Sequence, residues 1–558
     1  MLIKRLRFII FCGFLFIAFL IFPAARLMQS EPAIFIRVNQ LGFLPNDLKG
    51  CVVVSSTRLA GTPFYVIDRA TRVPVYSSTI NRGIGPYGNF TFYYKIDFSS
   101  LIRPGAYFIQ VREAKSAEFI INETVYNNLV DSLLFFFKVQ RCGATRPRLH
   151  APCHLHDATS LIINGQVVDE KVDVSGGWHD AGDYIKFLNT TAYAAYTLLF
   201  SYLFDPNKFG FDRDNDGLPD ILAEAKIGLD WLAKLNYRKD ELITQVQNIR
   251  DHEQGWRLPE SDPLTFDRPA FVGKGKNLIG IYAATMAVAY RAYKDTPSYR
   301  QFADNCLTLA ENIYSIRNEA PNLDVSGTGA YRDSQYAGKM ALAAVELHLA
   351  TGREEYLREA QAFADAAGSD FWWSWGDVNS YAHYRLAKID PRFKIYLNNN
   401  LKFFTEKKKP IFGEARVDNW GANNTILGVA LQAILWKDLT GENSYGELAV
   451  AQRDFILGKN QWGLSFIYNI GADFSKNFHS QIAFFNRGRL PGAVAAGPMS
   501  KMKLEKYMIP YESVDLYARF QTASAIYRDD RMDYITNEPT IVANATAVFV
   551  MGCSANRK

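Results

Sequence analysis

From residue 34 to about residue 121, apolar and polar positions alternate in short runs; beyond Asn122, apolar positions recur at intervals of three and four. The alternating runs are 51–54, 64–67, 90–94 and 107–111, punctuated by turn signals such as Arg103-Pro104-Gly105. Short strands at such spacing predict a small β-sandwich of immunoglobulin type over residues 31–122. The second pattern predicts helices over 125–139, 191–202, 219–236, 278–293, 298–316, 336–350, 354–367, 393–404, 426–439, 445–457, 516–527 and 540–551. With no strand alternation between them, a doubly wound α/β sheet is excluded. Antiparallel helix pairs closed into a double-layered ring would use them all. The long loops 140–190, 240–277 and 459–514 would then gather at one end.

The first 30 residues read as a targeting segment. Lys4, Arg5 and Arg7 precede an apolar run from Phe8 to Phe22, short of the roughly 20 residues of a membrane span and closed by Pro23. This pattern predicts export, either by a cleaved signal or with residues 8–22 retained as a membrane anchor, and a secreted, periplasmic or cell-surface protein. The body has a hydrophobic fraction of 48% and charged residues at 21%, which suits a full core and excludes wholesale disorder. A formal charge of +5 over 558 residues is too thin for a nucleic-acid partner. Of six cysteines, Cys12 lies in the targeting segment and only Cys142 and Cys153 stand close together, so there is no disulfide framework.

The densest chemistry lies in Asp173-Val174-Ser175-Gly176-Gly177-Trp178-His179-Asp180-Ala181-Gly182-Asp183-Tyr184. Its glycines permit a close-packed turn on which Asp180 and Asp183, three apart, face one point. Neighbouring carboxylates repel, so they share a proton or hold a water, which suits a base that activates water. The bland alternative is a turn with Asx caps. A second segment, Tyr527-Arg528-Asp529 followed by Asp533-Tyr534-Ile535-Thr536-Asn537-Glu538-Pro539, enters the last helix. A Glu there is commonly only a dipole partner. The positive helix end lowers a carboxyl pKa, so a general acid at Glu538 would need burial and the Asp pair to outweigh it.

These segments, in this order, strongly resemble the family 9 glycoside hydrolases, inverting cellulases with an (α/α)6 barrel. The resemblance starts at Ile36-Arg37-Val38-Asn39-Gln40-Leu41-Gly42-Phe43, which looks like the first strand of the immunoglobulin-like domain of some members. It continues through Gln140-Arg141-Cys142-Gly143, the Gly176-to-Tyr184 segment, Asp251-His252-Glu253 with Trp256 and Pro259-Glu260, and Trp375-Gly376-Asp377-Val378-Asn379. Ile456-Leu457-Gly458-Lys459-Asn460, Ala496-Gly497-Pro498 and Thr536-Asn537-Glu538 complete it. It implies a mainly α protein, with an (α/α)6 barrel over 123–558 behind the sandwich. It implies Asp183 as general base, Asp180 as its partner on the same water, and Glu538 as general acid. Inversion requires the acid and base about 6.5–9.5 Å apart.

By the same resemblance Cys142, Cys153, His154 and His179 form a structural zinc set. His156 as fourth ligand, a Cys142–Cys153 disulfide, or a pair of free thiols remain alternatives. Calcium is less supported. Asp212, Asp214 and Asp216 with Gly217 alternate as in a calcium loop, but position twelve is Ala223, and a solvated turn is the better reading. Relatives hold calcium with an Asp-Glu pair on the helix at 336–350, where this chain has Gly338-Lys339; a lysine there can replace the cation's charge. No organic cofactor is expected. His479, Trp256 and Tyr527 are the candidate sugar contacts, with Trp375 and Trp462 as further stacking platforms. Cellulases of the family often show Asn-Pro-His-His-Arg where this chain has Lys476-Asn477-Phe478-His479-Ser480-Gln481. The expected activity is endo-cleavage of β-1,4-glucans by a monomer. Exo-acting β-glucosidase or exo-β-glucosaminidase activity is the alternative, and a non-catalytic carbohydrate-binding surface protein the remote one.

Overall fold

The computed structural model describes residues 33–83, 85–328, 331–371 and 373–557. Twelve helices carry the larger domain: α1 (Leu129–Gln140), α2 (Leu188–Phe204), α3 (Asp220–Leu235), α4 (Lys276–Tyr293), α5 (Arg300–Ser315) and α6 (Ala337–Thr351). They continue with α7 (Glu354–Ala367), α8 (Asn379–Ala387), α9 (Lys394–Lys407), α10 (Ala422–Thr440), α11 (Gly446–Ile456) and α12 (Ile541–Ser554). The even-numbered helices pack in a closed ring, α2 on α4, α4 on α6, α6 on α8, α8 on α10, α10 on α12 and α12 back on α2. Each odd-numbered helix backs an even-numbered one from outside. The sequence of each layer follows from its place. Inner α4 buries 15 of its 18 residues, including Thr285 and Gly280, whereas outer α5 buries only the stripe Ala303, Cys306, Ala310, Ile313 and Tyr314.

Two differences from the predicted elements have physical causes. Residues 516–527 have helical spacing but form a loop containing a short turn at Ala518–Phe520. There Phe520 packs on Phe35 and Phe90 of the sandwich, and this contact takes the apolar residues that a helix would have buried. Conversely α8 buries all nine of its residues, polar ones included, so it shows no apolar stripe.

The sandwich has one sheet of β1 (Ile34–Arg37), β3 (Gly50–Ser55) and β6 (Phe92–Asp97). The other contains β2 (Gly42–Phe43), β4 (Pro63–Asp68), β5 (Pro74–Thr79), β7 (Gly105–Val111), β8 (Ala114–Lys115) and β9 (Phe119–Ile121). On β3, Cys51 and Val53 face the sandwich core while Val52 and Val54 join the core of the helical domain. Burial on both faces explains the unbroken apolar run there. Polar contacts lock the joint: Asn39 Nδ2 donates to Asp454 Oδ1 at 2.9 Å and Gln40 Nε2 to the Gly463 carbonyl at 2.7 Å.

The long loops are not all irregular. β10 (Leu161–Ile163), β11 (Gln166–Val168), β12 (Lys186–Phe187), β13 (Leu242–Val246) and β14 (Ala270–Gly273) form a five-stranded sheet in the order β11-β10-β14-β13-β12. Strands of two to five residues are too short for alternation to register. The expectation of membrane anchoring is corrected: among the described residues no helix is long and apolar enough to cross a membrane. Residues 8–22, on which it rested, lie outside them.

Candidate active site

The Asp180–Asp183 loop is held from several directions. Trp178, just before it, is fully buried and donates to Glu224 Oε1 at 3.0 Å. Just after it, β12 pairs with β13 (Lys186 opposite Val246), which brings Asn248–Glu253 alongside. Gly182 sits so tightly that an added Cβ would lie 2.1 Å from the His479 carbonyl oxygen. Its carbonyl accepts from Gln481 N–H at 3.0 Å, and its own N–H donates to Glu538 Oε1 at 3.1 Å. Three distant stretches of chain thus meet at one residue without a side chain.

Glu538 precedes the helix cap. Thr540 Oγ1 accepts from the Ala543 N–H at 3.2 Å, and the Asp180 carbonyl accepts from the Ile541 N–H at 3.0 Å. The end of α12 is thereby satisfied by other groups. Burial, then the negative charge of Asp183, raises the Glu538 carboxyl well above the usual range, against the opposing charge of His252. The lowering expected from the helix end is therefore outweighed.

Asp180 and Asp183 differ in their surroundings. Asp180 is 1% exposed, and burial pushes its carboxyl up to about 7. The hydroxyls of Thr190 and Tyr331 lie beside it. None is in hydrogen-bonding geometry, and both Asp180 oxygens are buried without a partner among the described residues. Asp183 Oδ2 bonds His252 Nε2 at 2.6 Å, while Oδ1 is buried and unpartnered. The bond to Asp183 pushes the half-exposed His252 up to about 9, so it stands as an imidazolium against the carboxylate. His252 and Tyr331 were not assigned from sequence. His252 falls within a matched segment, but its bond to Asp183 depends on the β12–β13 pairing. Tyr331 stands in no recognisable motif.

Cys142, Cys153, His154 and His179 converge, all buried, with one donor atom from each lying within 4.8 Å of the others. His154 Nδ1 is 3.2 Å from His179 Nε2, and each sulfur is 3.7 Å from one imidazole: Cys142 from His154 and Cys153 from His179. The two cysteines are free thiols. Asp262 Oδ2 accepts from His154 Nε2 at 3.0 Å, which turns Nδ1 toward the cluster. Two sulfurs and two imidazoles with a carboxylate behind one of them can coordinate a metal. His156, the alternative ligand, is exposed and stacks on Phe266. Behind the cluster Asp262 also accepts from Arg257 Nε at 2.8 Å, and Arg257 Nη2 donates to Asp251 Oδ1 at 2.6 Å. Since Asp251 precedes His252, the cluster and the Asp183 contact share one framework.

The expected sugar contacts separate. His479 donates from Nδ1 to the Arg531 carbonyl at 2.7 Å, and its ring is 5.2 Å from that of Trp256. Trp256 is partly exposed and stacks on Phe484 at 4.9 Å. Tyr527 is corrected as a sugar contact: it is fully buried, bonded to Ser475 Oγ at 2.7 Å and to Asn537 Oδ1, and so supports the residue before Glu538. Trp462 is likewise 1% exposed, whereas Trp375 packs edge-on to Tyr331 at 5.2 Å. Ser480 and Gln481 serve the fold: Ser480 Oγ caps the short helix Gln481–Phe485, and Gln481 Oε1 accepts from the Arg257 N–H. Asp212, Asp214 and Asp216 gather at the surface, where Asp212 accepts from the N–H groups of Asp216 and Gly217, as in a solvated turn.

The larger domain is thus a closed double ring of helices behind a β-sandwich, with Glu538 beside the Asp180–Asp183 turn. The sequence profile described as glycosyl hydrolase family 9 matches residues 126–551, and that described as cellulase N-terminal ig-like domain matches residues 31–116. This chain belongs to glycosyl hydrolase family 9. Among similar proteins, a cellodextrinase from Butyrivibrio fibrisolvens is 27% identical, over 92% of this chain and 98% of its own length. Endoglucanase D from Acetivibrio thermocellus is 25% identical, over 80% of this chain and 74% of its own. The crystal structure of a metagenome-derived family 9 endoglucanase superposes with a TM-score of 0.79 at 25% identity, covering 94% of this chain and 99% of that one.

Proposed function

We propose that this protein is an exported endo-β-1,4-glucanase, acting on cellulose-type glucans with inversion at the anomeric carbon. Asp183 is the general base, Asp180 its partner on the water, and Glu538 the general acid. The observation that carries the reading is the division of states between carboxyl groups around one point. Glu538 is kept protonated by burial and by Asp183, while Asp183 faces the His252 imidazolium. Unequal environments of this kind divide acid from base. The unpartnered Asp183 Oδ1 receives the water proton, and the free oxygens of Asp180 hold the other hydrogen. Glu538 Oε1 is engaged by the Gly182 N–H, so Oε2 carries the proton to the leaving oxygen. His479 and Trp256 border the sugar. The catalytic unit spans 123–558 and the sandwich 31–122.

Zinc is the metal we assign to Cys142, Cys153, His154 and His179, because two sulfurs and two imidazoles form a closed tetrahedral donor set. Its part would be structural, securing His179 and with it the Asp180 loop. Export follows from the charged and apolar pattern of residues 4–23. The likeness to a cellodextrinase favours a second reading, action on short cello-oligosaccharides.

The deciding experiment incubates the protein with cello-oligosaccharides and chitosan oligosaccharides and follows products and anomeric form by proton NMR. Mixed short cello-oligosaccharides released as the α-anomer are expected. Monomer alone would replace endo by exo action and name the sugar, and β-anomeric products would overturn the mechanism.

A further inference from the structure

Near Tyr331 the protein buries a charge that the chemistry above does not use. Lys339, in the first turn of α6, is 1% exposed, with its Nζ 2.5 Å from Asp333 Oδ1; the Asp333 carboxylate is equally buried. An ammonium is costly to bury, and burial of both partners makes the pair a strict constraint on their positions. Asp333 passes the constraint on, since its Oδ2 accepts from Asn277 Nδ2 at 2.7 Å, and Asn277 Oδ1 accepts from the Asp324 N–H at 2.9 Å. The same ammonium lies 5.5 Å from the centre of the Trp375 ring. Two residues before Asp333 is Tyr331, whose ring packs between Phe187 at 4.9 Å and Trp375 at 5.2 Å and whose carbonyl accepts from Asn189 Nδ2. Its phenol, raised far above its ordinary value by burial first, also feels Asp180, Glu538 and Asp183. Lys339 therefore grips Tyr331 twice, through Asp333 along the chain and through Trp375 against its ring.

We propose that Lys339 is a positioning residue for the reaction, an internal ammonium that holds Tyr331 against the catalytic carboxylates. The charge balance supports a single pair. Asp377, two residues after Trp375, is pushed up to about 8 by burial and then by Asp370, and so stands neutral beside them. Its buried Oδ1 has no partner among the described residues. Among the described residues, Asp333 is the carboxylate within ion-pairing distance of Lys339. The inference rests on the catalytic reading given above.

The test compares Lys339→Met with Lys339→Met/Asp333→Asn. The single variant strands a buried carboxylate and is expected to be unstable. The double variant removes both charges, which a core tolerates far better, and is expected to fold. In the double variant kcat on cello-oligosaccharides should fall about tenfold to a hundredfold with KM within about threefold, as for lost alignment in the transition state. Amide hydrogen exchange should quicken in residues 331–336 and 373–378 and nowhere else. A double variant with wild-type kcat and exchange overturns the inference, as does a lower melting temperature with kcat unchanged. An inactive wild-type protein would instead refute the catalytic reading, and the exchange measurement would still decide whether Lys339 holds the Tyr331 segment.

Discussion

The Gly182 N–H donates to Glu538 Oε1 at 3.1 Å, joining two positions 356 residues apart in the chain. Gly182 lies between Asp180 and Asp183, so the same four-residue turn positions the Asp183 carboxylate and holds one oxygen of Glu538. No side chain fits at this crossing, because the His479 carbonyl occupies the place of a Cβ.

Gly182→Ala should therefore damage catalysis more than folding. The methyl must displace the His479 carbonyl, and the Glu538 contact with it. An expected loss of about 1–3 kcal/mol of stability should accompany a fall of at least about tenfold in kcat. Calorimetry and steady-state kinetics on one preparation would separate the two effects, and an unaltered kcat would show that the turn does not align the acid.

Removing the acid or base should leave the fold and lose the rate. Asp183→Ala and Glu538→Ala are each expected to lower kcat about 10²–10⁴-fold with circular dichroism unchanged. Near-normal turnover in either would overturn the assignment.

The pH profile has a definite sign. Burial and Asp183 raise Glu538, so its proton persists to higher pH than in an ordinary glutamic acid, and the alkaline limb of kcat/KM marks its loss. The charge of His252 opposes that rise. His252→Gln removes the charge while keeping a donor for Asp183, and should move the alkaline limb to higher pH. A shift to lower pH would mean that another group sets the limb.

Metal analysis of the purified protein should find one zinc per chain, reduced in Cys142→Ser and Cys153→Ser. Chelation should lower the melting temperature by about 5–10 °C. Loss of activity on chelation should follow the loss of fold and not precede it, because none of the four ligands touches the reacting atoms.

Trp256→Ala should raise KM for long cello-oligosaccharides roughly tenfold with less effect on kcat, since a stacked ring binds substrate and transition state alike. Equal KM values would place Trp256 in the framework with Phe484.

The alternating and helical periods by themselves determined the sandwich and eleven of the helices. Each of those elements depends on a local pattern of burial that the residues carry with them. That Asp180, Asp183 and Glu538 lie together, and that Cys142, Cys153, His154 and His179 converge, was also legible, because these residue types are conspicuous in short motifs. Only the tertiary structure decided the rest. The all-buried α8 has no polar face to show a period, and residues 516–527 spend their apolar residues on the sandwich. Tyr527, read as a sugar contact, is enclosed by Ser475 and Asn537. His252 reaches Asp183 through a strand pairing only two residues long, and Lys339 meets Asp333 through the start of an inner helix. Such relationships depend on where separate segments cross in space, and the low-dielectric burial that shifts Glu538 and pairs Lys339 exists only once they have crossed.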